Sequence, residues 1–152
     1  VSGKVFKYEN RLAGALVAKD GMSGEEAVRS AQAAVEEVRE PSLQEIDASL
    51  KEIYRTGEAM TDAADPTALQ QMYASANRVV ALGGVFGLAE LGQAAYSLCE
   101  LVSRFQRLDK FSASMIRVHI DGLKLLRNPD PHPAEARRQV LAGLRQVAAS
   151  VV

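Results

Sequence analysis

The stretch Ala76-Asn77-Arg78-Val79-Val80-Ala81-Leu82-Gly83-Gly84-Val85-Phe86-Gly87-Leu88 decides how this chain is read. Leu69, Met72, Ala76, Val79, Gly83 and Phe86 recur at alternating spacings of three and four, which places them on one face of an α-helix. Gly87 breaks that helix, and Leu88, Leu91, Ala95, Leu98, Val102 and Phe105 resume the same rhythm at once. Two such stripes separated by a glycine describe antiparallel helices packed near 20°.

Working outward, Asp65-Pro66 supplies an N-cap and a proline at the first helical position. Before it, Leu43, Ile46, Leu50, Ile53, Gly57 and Met60 keep the same spacing, and Ser42-Leu43-Gln44-Glu45 is predicted to open that helix as a capping box. Pro41 is predicted to end the helix before it, which starts at another box, Ser23-Gly24-Glu25-Glu26, and shows Val28, Ala31, Val35 and Val38. A short helix is expected near residues 9–20, with Leu12 and Leu16, stopping at Gly21. Downstream, residues 111–127 carry Met115, Ile116, Ile120, Leu123 and Leu126. The loop Asn128-Pro129-Asp130-Pro131-His132-Pro133 then leads to a last helix with Val140, Leu141, Leu144, Val147 and Val151. Strand alternation and hairpin dipeptides are absent. The expectation is an all-α chain, one domain over residues 1–152. Residues 42–127 form an antiparallel four-helix bundle, residues 1–41 an N-terminal helical extension, and residues 133–152 a C-terminal helix. The added helices would brace the bundle or pair with another copy in a homodimer.

Composition excludes several classes of function. A net charge of −1 lacks the basic excess that neutralises nucleic-acid phosphates. No apolar run approaches the ~18–20 residues of a membrane span, and no signal peptide is recognisable. The lone Cys99 can form no internal disulfide and has no zinc-spaced neighbours, which fits a reducing, cytoplasmic setting. No cofactor or metal site is expected.

The quoted stretch resembles the signature of the histidine-phosphotransfer (HPt) family: Ala-His-x-(Leu/Ile)-Lys-Gly, small residues, an apolar residue, then a glycine where the helix turns into its antiparallel partner. Aligned on Gly87, Val79 takes the buried apolar position, Gly84 a small position and Phe86 the apolar position before the turn. The continuation Leu88-Ala89-Glu90-Leu91-Gly92-Gln93-Ala94-Ala95-Tyr96-Ser97-Leu98 is similar to the family's next helix, and the resemblance covers about residues 43–126. It implies an HPt-like four-helix bundle in bacterial two-component signalling.

The departures from the pattern carry the functional expectation. Asn77 stands where the resemblance places the phospho-accepting histidine, Val80 where it places the lysine, and Ala81 where it places a glycine. An asparagine amide has no nucleophilic ring nitrogen, and without the lysine the charge stabilisation of a phosphoryl group weakens. The expected role is therefore that of a non-enzymatic adaptor that binds a response-regulator receiver domain or a histidine kinase. Tyr73, Asn77, Val80, Ala81 and Gly84 should form one exposed ribbon, with Arg78 beside it and Gln93 and Tyr96 contributing from the facing helix.

Two other readings stay open. Phosphotransfer could run through His119, although its place between Ile116, Ile120 and Leu123 favours a hydrogen-bonded core histidine. The chain could also be a helical interaction module unrelated to phosphorelay. No catalytic set emerges: Cys99 reads as a small core or flank residue, and the paired glutamates as solvated helix faces. Gly83-Gly84-Val85-Phe86-Gly87 lies at a helix end, the wrong context for a phosphate loop. Arg137, Arg138 and Arg145 give the last helix some positive character, most simply facing water.

Overall fold

In a computed structural model the described residues are 23–61, 63–128 and 132–152. They form six helices and no strand: α1 (Gly24–Glu37), α2 (Arg39–Ala59), α3 (Pro66–Gly83), α4 (Ala89–Leu108), α5 (Ala113–Arg127) and α6 (Ala134–Ala149). The helix expected near residues 9–20 lies outside the described residues. The chain divides into two compact units after Val38.

In the first unit, α1 starts as the sequence predicts. Ser23 Oγ accepts the Glu26 N–H at 3.2 Å, and the Glu26 carboxylate accepts the Ser23 N–H at 2.9 Å. The Ser23 N–H first, and its hydroxyl second, hold the Glu26 carboxyl below its ordinary pKa. No residue of α1 is buried, and Val28, Val35 and Val38 stand exposed.

The second unit opens with a correction. The capping box expected at Ser42 does not form, because α2 already begins at Arg39 and carries Pro41 and Ser42 inside its first turn. Pro41 therefore opens a helix as well as following one: in a first turn the missing N–H has no intrahelical partner to lose. The cap predicted for α3 is present, with Asp65 Oδ1 accepting the N–H groups of Thr67 at 2.9 Å and Ala68 at 3.3 Å.

Helix α3 ends at Gly83, and the Leu88 N–H reaches back to the Gly83 carbonyl at 2.8 Å, closing the turn into α4. Gly87 within that turn has φ +79°, a conformation that L side chains rarely adopt. At the other end of α4 the left-handed cap is Asp109, φ 50°. Aspartate enters this region more readily than most residues.

Helix α3 packs between α2 and α4, α4 packs on α5, and α5 closes back on α2. The predicted stripes meet in the middle: Ile46 and Ile53 of α2, Met72 and Val79 of α3, Leu91, Leu98 and Val102 of α4, and Ile116 and Leu123 of α5 are all fully buried. Gly57 of α2 lets Ile120 of α5 approach, since a Cβ there would run into the isoleucine Cδ1. The bidentate Asp47–Arg127 pair, at 2.7 and 3.1 Å, ties α2 to α5 at the surface and lowers the Asp47 pKa.

Helix α6 lies outside this ring, on α4 and α5. Leu141, Leu144 and Ala148 bury its apolar edge, and Val151 just past its end is buried too. The Leu144 side chain fills the space over Gly122, where a Cβ would lie 2.8 Å from the leucine Cδ1. Arg137 pairs with Glu90 of α4 at 2.6 Å, and Arg145 donates to Gln93 Oε1 at 2.7 Å. Two of the three arginines expected simply to face water are thus ties to α4.

Candidate functional site

The α3–α4 hairpin positions the expected residues, and its closest approach sets their depth. A Cβ on Gly83 would lie 3.1 Å from the Leu88 carbonyl oxygen and 3.3 Å from the Gly92 Cα, so the two backbones nearly touch there. One residue on, Gly84 faces open space. The glycine pair therefore serves two ends. Gly83 is needed for packing, while Gly84 keeps the outer surface low.

That surface is an open groove of about 440 Å³, lined among others by Val80, Gly84, Gly92, Gln93, Tyr96 and Arg145. Glycine and small side chains make its floor, and Tyr96, 57% exposed, makes one wall. A smaller depression of about 230 Å³ adjoins it, sharing Tyr96 and Glu100 and adding Tyr73, Ser103, Arg104 and Arg107. Along α4, Gln93, Tyr96, Glu100, Ser103 and Arg107 recur at three and four, as Tyr73, Asn77, Val80 and Gly84 do along α3. Two outward stripes thus flank one trough.

Of the expected residues, the structure brings Val80, Gly84, Gln93 and Tyr96 together in the groove, with Tyr73 in the adjoining depression. Asn77 and Ala81 are exposed on the same helix but line neither hollow. Arg78 turns the other way, toward α2, where its guanidinium meets the Glu45 carboxylate at 3.5 Å. It does not stand beside the ribbon, because residue 78 falls about 100° round the helix from residue 77.

Arg145, Glu100 and Gly92 were not anticipated. Gly92 had a signal: it sits across the turn from Gly83, where a hairpin pairs small residues. Arg145 had none, since only the packing of α6 on α4 brings it to the groove.

His119 is fully buried. Its Nδ1 lies 2.9 Å from the Met115 carbonyl, which can only accept, so Nδ1 carries the proton and Nε2 accepts the Ser97 hydroxyl at 3.0 Å. Burial lowers its pKa, against the opposing pull of the Met115 and Leu144 carbonyls. This is the hydrogen-bonded core histidine that its position in the stripe implied. Cys99 is also buried, and desolvation pushes its thiol up to about 11, far from a reactive thiolate.

Among the described residues no group of three His, Cys, Asp or Glu side chains could hold a metal ion, and no helix is long and apolar enough to cross a membrane. Comparison with protein-family models, curated proteins and solved structures finds no match to this chain.

Proposed function

We propose that the chain is a non-enzymatic adaptor of two-component signalling, built on an HPt-like four-helix bundle of α2–α5 with α6 as an added brace. It docks a response-regulator receiver domain, or the histidine kinase that feeds one, on the outer face of the α3–α4 hairpin. The observation that carries this reading is the open, low-floored groove at Val80, Gly84 and Tyr96; Asn77, exposed on the same helix, stands where the resemblance would place a histidine. A surface with glycine where a side chain would protrude admits a partner helix closely. An asparagine at the acceptor position lets that partner sit without taking or giving phosphate.

In this role the chain would sequester its partner, block the true phosphotransfer protein, or scaffold an assembly. Phosphotransfer through His119 is not favoured by the geometry, because the ring has no exposed surface and both nitrogens are engaged within the core. Nor do the helices of the second unit bury the ribbon: Tyr73, Asn77, Ala81 and Gly84 all remain exposed.

The test is a binding titration of the purified chain against receiver domains and kinases of its own organism, with phosphate label followed in parallel. Saturable binding without acid-labile label on the chain is the expected result. Label that survives Asn77→Ala and disappears with His119→Gln would overturn the adaptor reading, and binding to no member of the panel would overturn the signalling role.

A further inference from the structure

The outer face of the α3–α4 hairpin has a charge as well as a shape. We propose that its trough takes an acidic amphipathic helix of the partner protein, whose carboxylates fall on Arg145 at one end and on Arg104 and Arg107 at the other. This names the partner's docking element and rests on the function proposed above.

The chain carries a net charge of −1, but its acids are not spread evenly. Helix α3 contains no aspartate or glutamate, and its one charged residue, Arg78, turns away toward Glu45 of α2. Helix α2 by contrast carries Glu40, Glu45, Asp47, Glu52 and Glu58. Around the trough, Arg104, Arg107 and Arg145 stand against the single carboxylate of Glu100. The face is positive on a chain that is slightly negative.

These charges are open to a partner. Elsewhere Arg78, Arg127, Arg137 and Arg138 each hold a carboxylate. Arg145 bonds the neutral Gln93 amide oxygen, and Arg104 bonds the carbonyl oxygens of Ala149 and Val151, so neither charge is offset by those bonds. Arg107 makes no hydrogen bond or ion pair among the described residues. Its guanidinium fork matches a carboxylate, and Tyr73, Tyr96 and Ser103 bring hydroxyl donors to the same hollow.

Shape suits a helix. The outward stripes of α3 and α4 stand on either side at helical spacing, and a third helix packs its ridge into such a furrow. From Gln93 to Arg107, α4 rises roughly 21 Å at 1.5 Å per residue, so about four turns of a partner helix fill the trough. Carboxylates near both ends of that helix meet the arginines, apolar residues between them meet Val80, Gly84 and Tyr96, and a neutral or basic residue faces Glu100. Such complementarity steers the encounter and rejects basic competitors.

Two synthetic probes test this against the full chain: a helix of about 15 residues with leucines at three–four spacing and glutamates at both ends, and the same helix with lysines there. The glutamate probe should bind, more weakly as salt rises, and the lysine probe should not. Arg107→Glu with Arg145→Glu should weaken the glutamate probe about tenfold with helical content unchanged, and Glu100→Gln should tighten it by roughly two- to fivefold. A gain in affinity cannot come from misfolding. Equal affinity for the two probes, or indifference to salt and to both variants, would overturn the assignment, as would binding to anionic lipid vesicles but to neither probe. Probe binding that survives Gly84→Trp would overturn the placement in the trough. A receiver domain or kinase that binds this face without responding to the charge variants would sink the acidic helix alone. A trough that takes the glutamate probe while no receiver or kinase binds would sink the signalling role alone.

Discussion

Gly83 and Gly92 meet across the α3–α4 seam, where a Cβ on Gly83 would come within 3.3 Å of the Gly92 Cα and 3.1 Å of the Leu88 carbonyl oxygen. Backbone cannot swing aside as a side-chain tip can, so the seam admits no methyl group on that side. Gly83→Ala should destabilise the fold by about 1–3 kcal/mol. Gly84→Ala meets nothing and keeps a right-handed backbone of φ −67° and ψ −34°, so it should be neutral or stabilising by up to ~1 kcal/mol. Chemical denaturation of the two variants compares them directly. Gly84→Trp should then leave stability near wild type while abolishing partner binding, and unchanged affinity would remove this face from consideration.

His119 predicts a dependence on pH. Its folded pKa lies below the ordinary 6.5, so near that pH the unfolded chain binds a proton that the native ring refuses. Stability is therefore full above about pH 6.5 and falls as the pH drops from there toward the folded value, at up to ~1.4 kcal/mol per pH unit. His119→Gln can still accept from Ser97 and should flatten that part of the profile, at a cost of about 1–3 kcal/mol from disturbed buried hydrogen bonds. Urea midpoints at pH 7.5, 6.5 and 5.5 would show it. Parallel profiles for wild type and variant would refute the assignment.

The Asp47–Arg127 pair acts in a separate window. Arg127 holds the Asp47 carboxyl below its ordinary 3.8, so the stabilisation is present above that pH and is lost as the pH falls through the folded value. Both partners are more than a third exposed, which limits the pair to about 1 kcal/mol or less. Asp47→Asn should cost no more than that at pH 7, and less in molar salt. A loss of several kcal/mol would mean that the ionic tie is far stronger than its exposure allows.

Leu144 and Gly122 should behave as a coupled pair. Leu144→Ala opens a cavity between α5 and α6 and should cost about 2–5 kcal/mol. Gly122→Ala gains helix propensity of roughly 1 kcal/mol but forces the buried leucine to move. The double variant should be more stable than the sum of the single losses predicts, and strict additivity in a thermal-melt cycle would show that the two do not share their space.

The helices were legible because their signals are local. The α1 capping box, the Asp65-Pro66 start of α3 and the left-handed turn at Gly87 are short-range chemistry, although α3 itself ends earlier than Gly87, at Gly83, and the stripes of α2 to α5 repeat at helical spacing over several turns. The start of α2 was misread because Pro41 is a breaker in a helix interior and an ordinary first-turn residue elsewhere, and only the end of α1 at Glu37 decides between them. In the site, Val80, Gly84 and Tyr96 could be placed from the phase of their own helices. Arg145 could not, because nothing within residues 134–149 states which neighbour α6 chooses. Arg78 was misplaced because adjacency in sequence puts two side chains on different flanks of a helix.

The groove floor is made largely of backbone at Gly84 and Gly92. Such a floor has no rotamers. A partner settling onto it freezes only the side chains of the walls, so little conformational freedom is surrendered where contact is most intimate. Tyr96, with two torsions to fix, and the flexible Arg107 and Arg145 carry most of that entropic cost. Affinity and selectivity can therefore be retuned by exchanging wall residues, one at a time, while the trough itself keeps its shape.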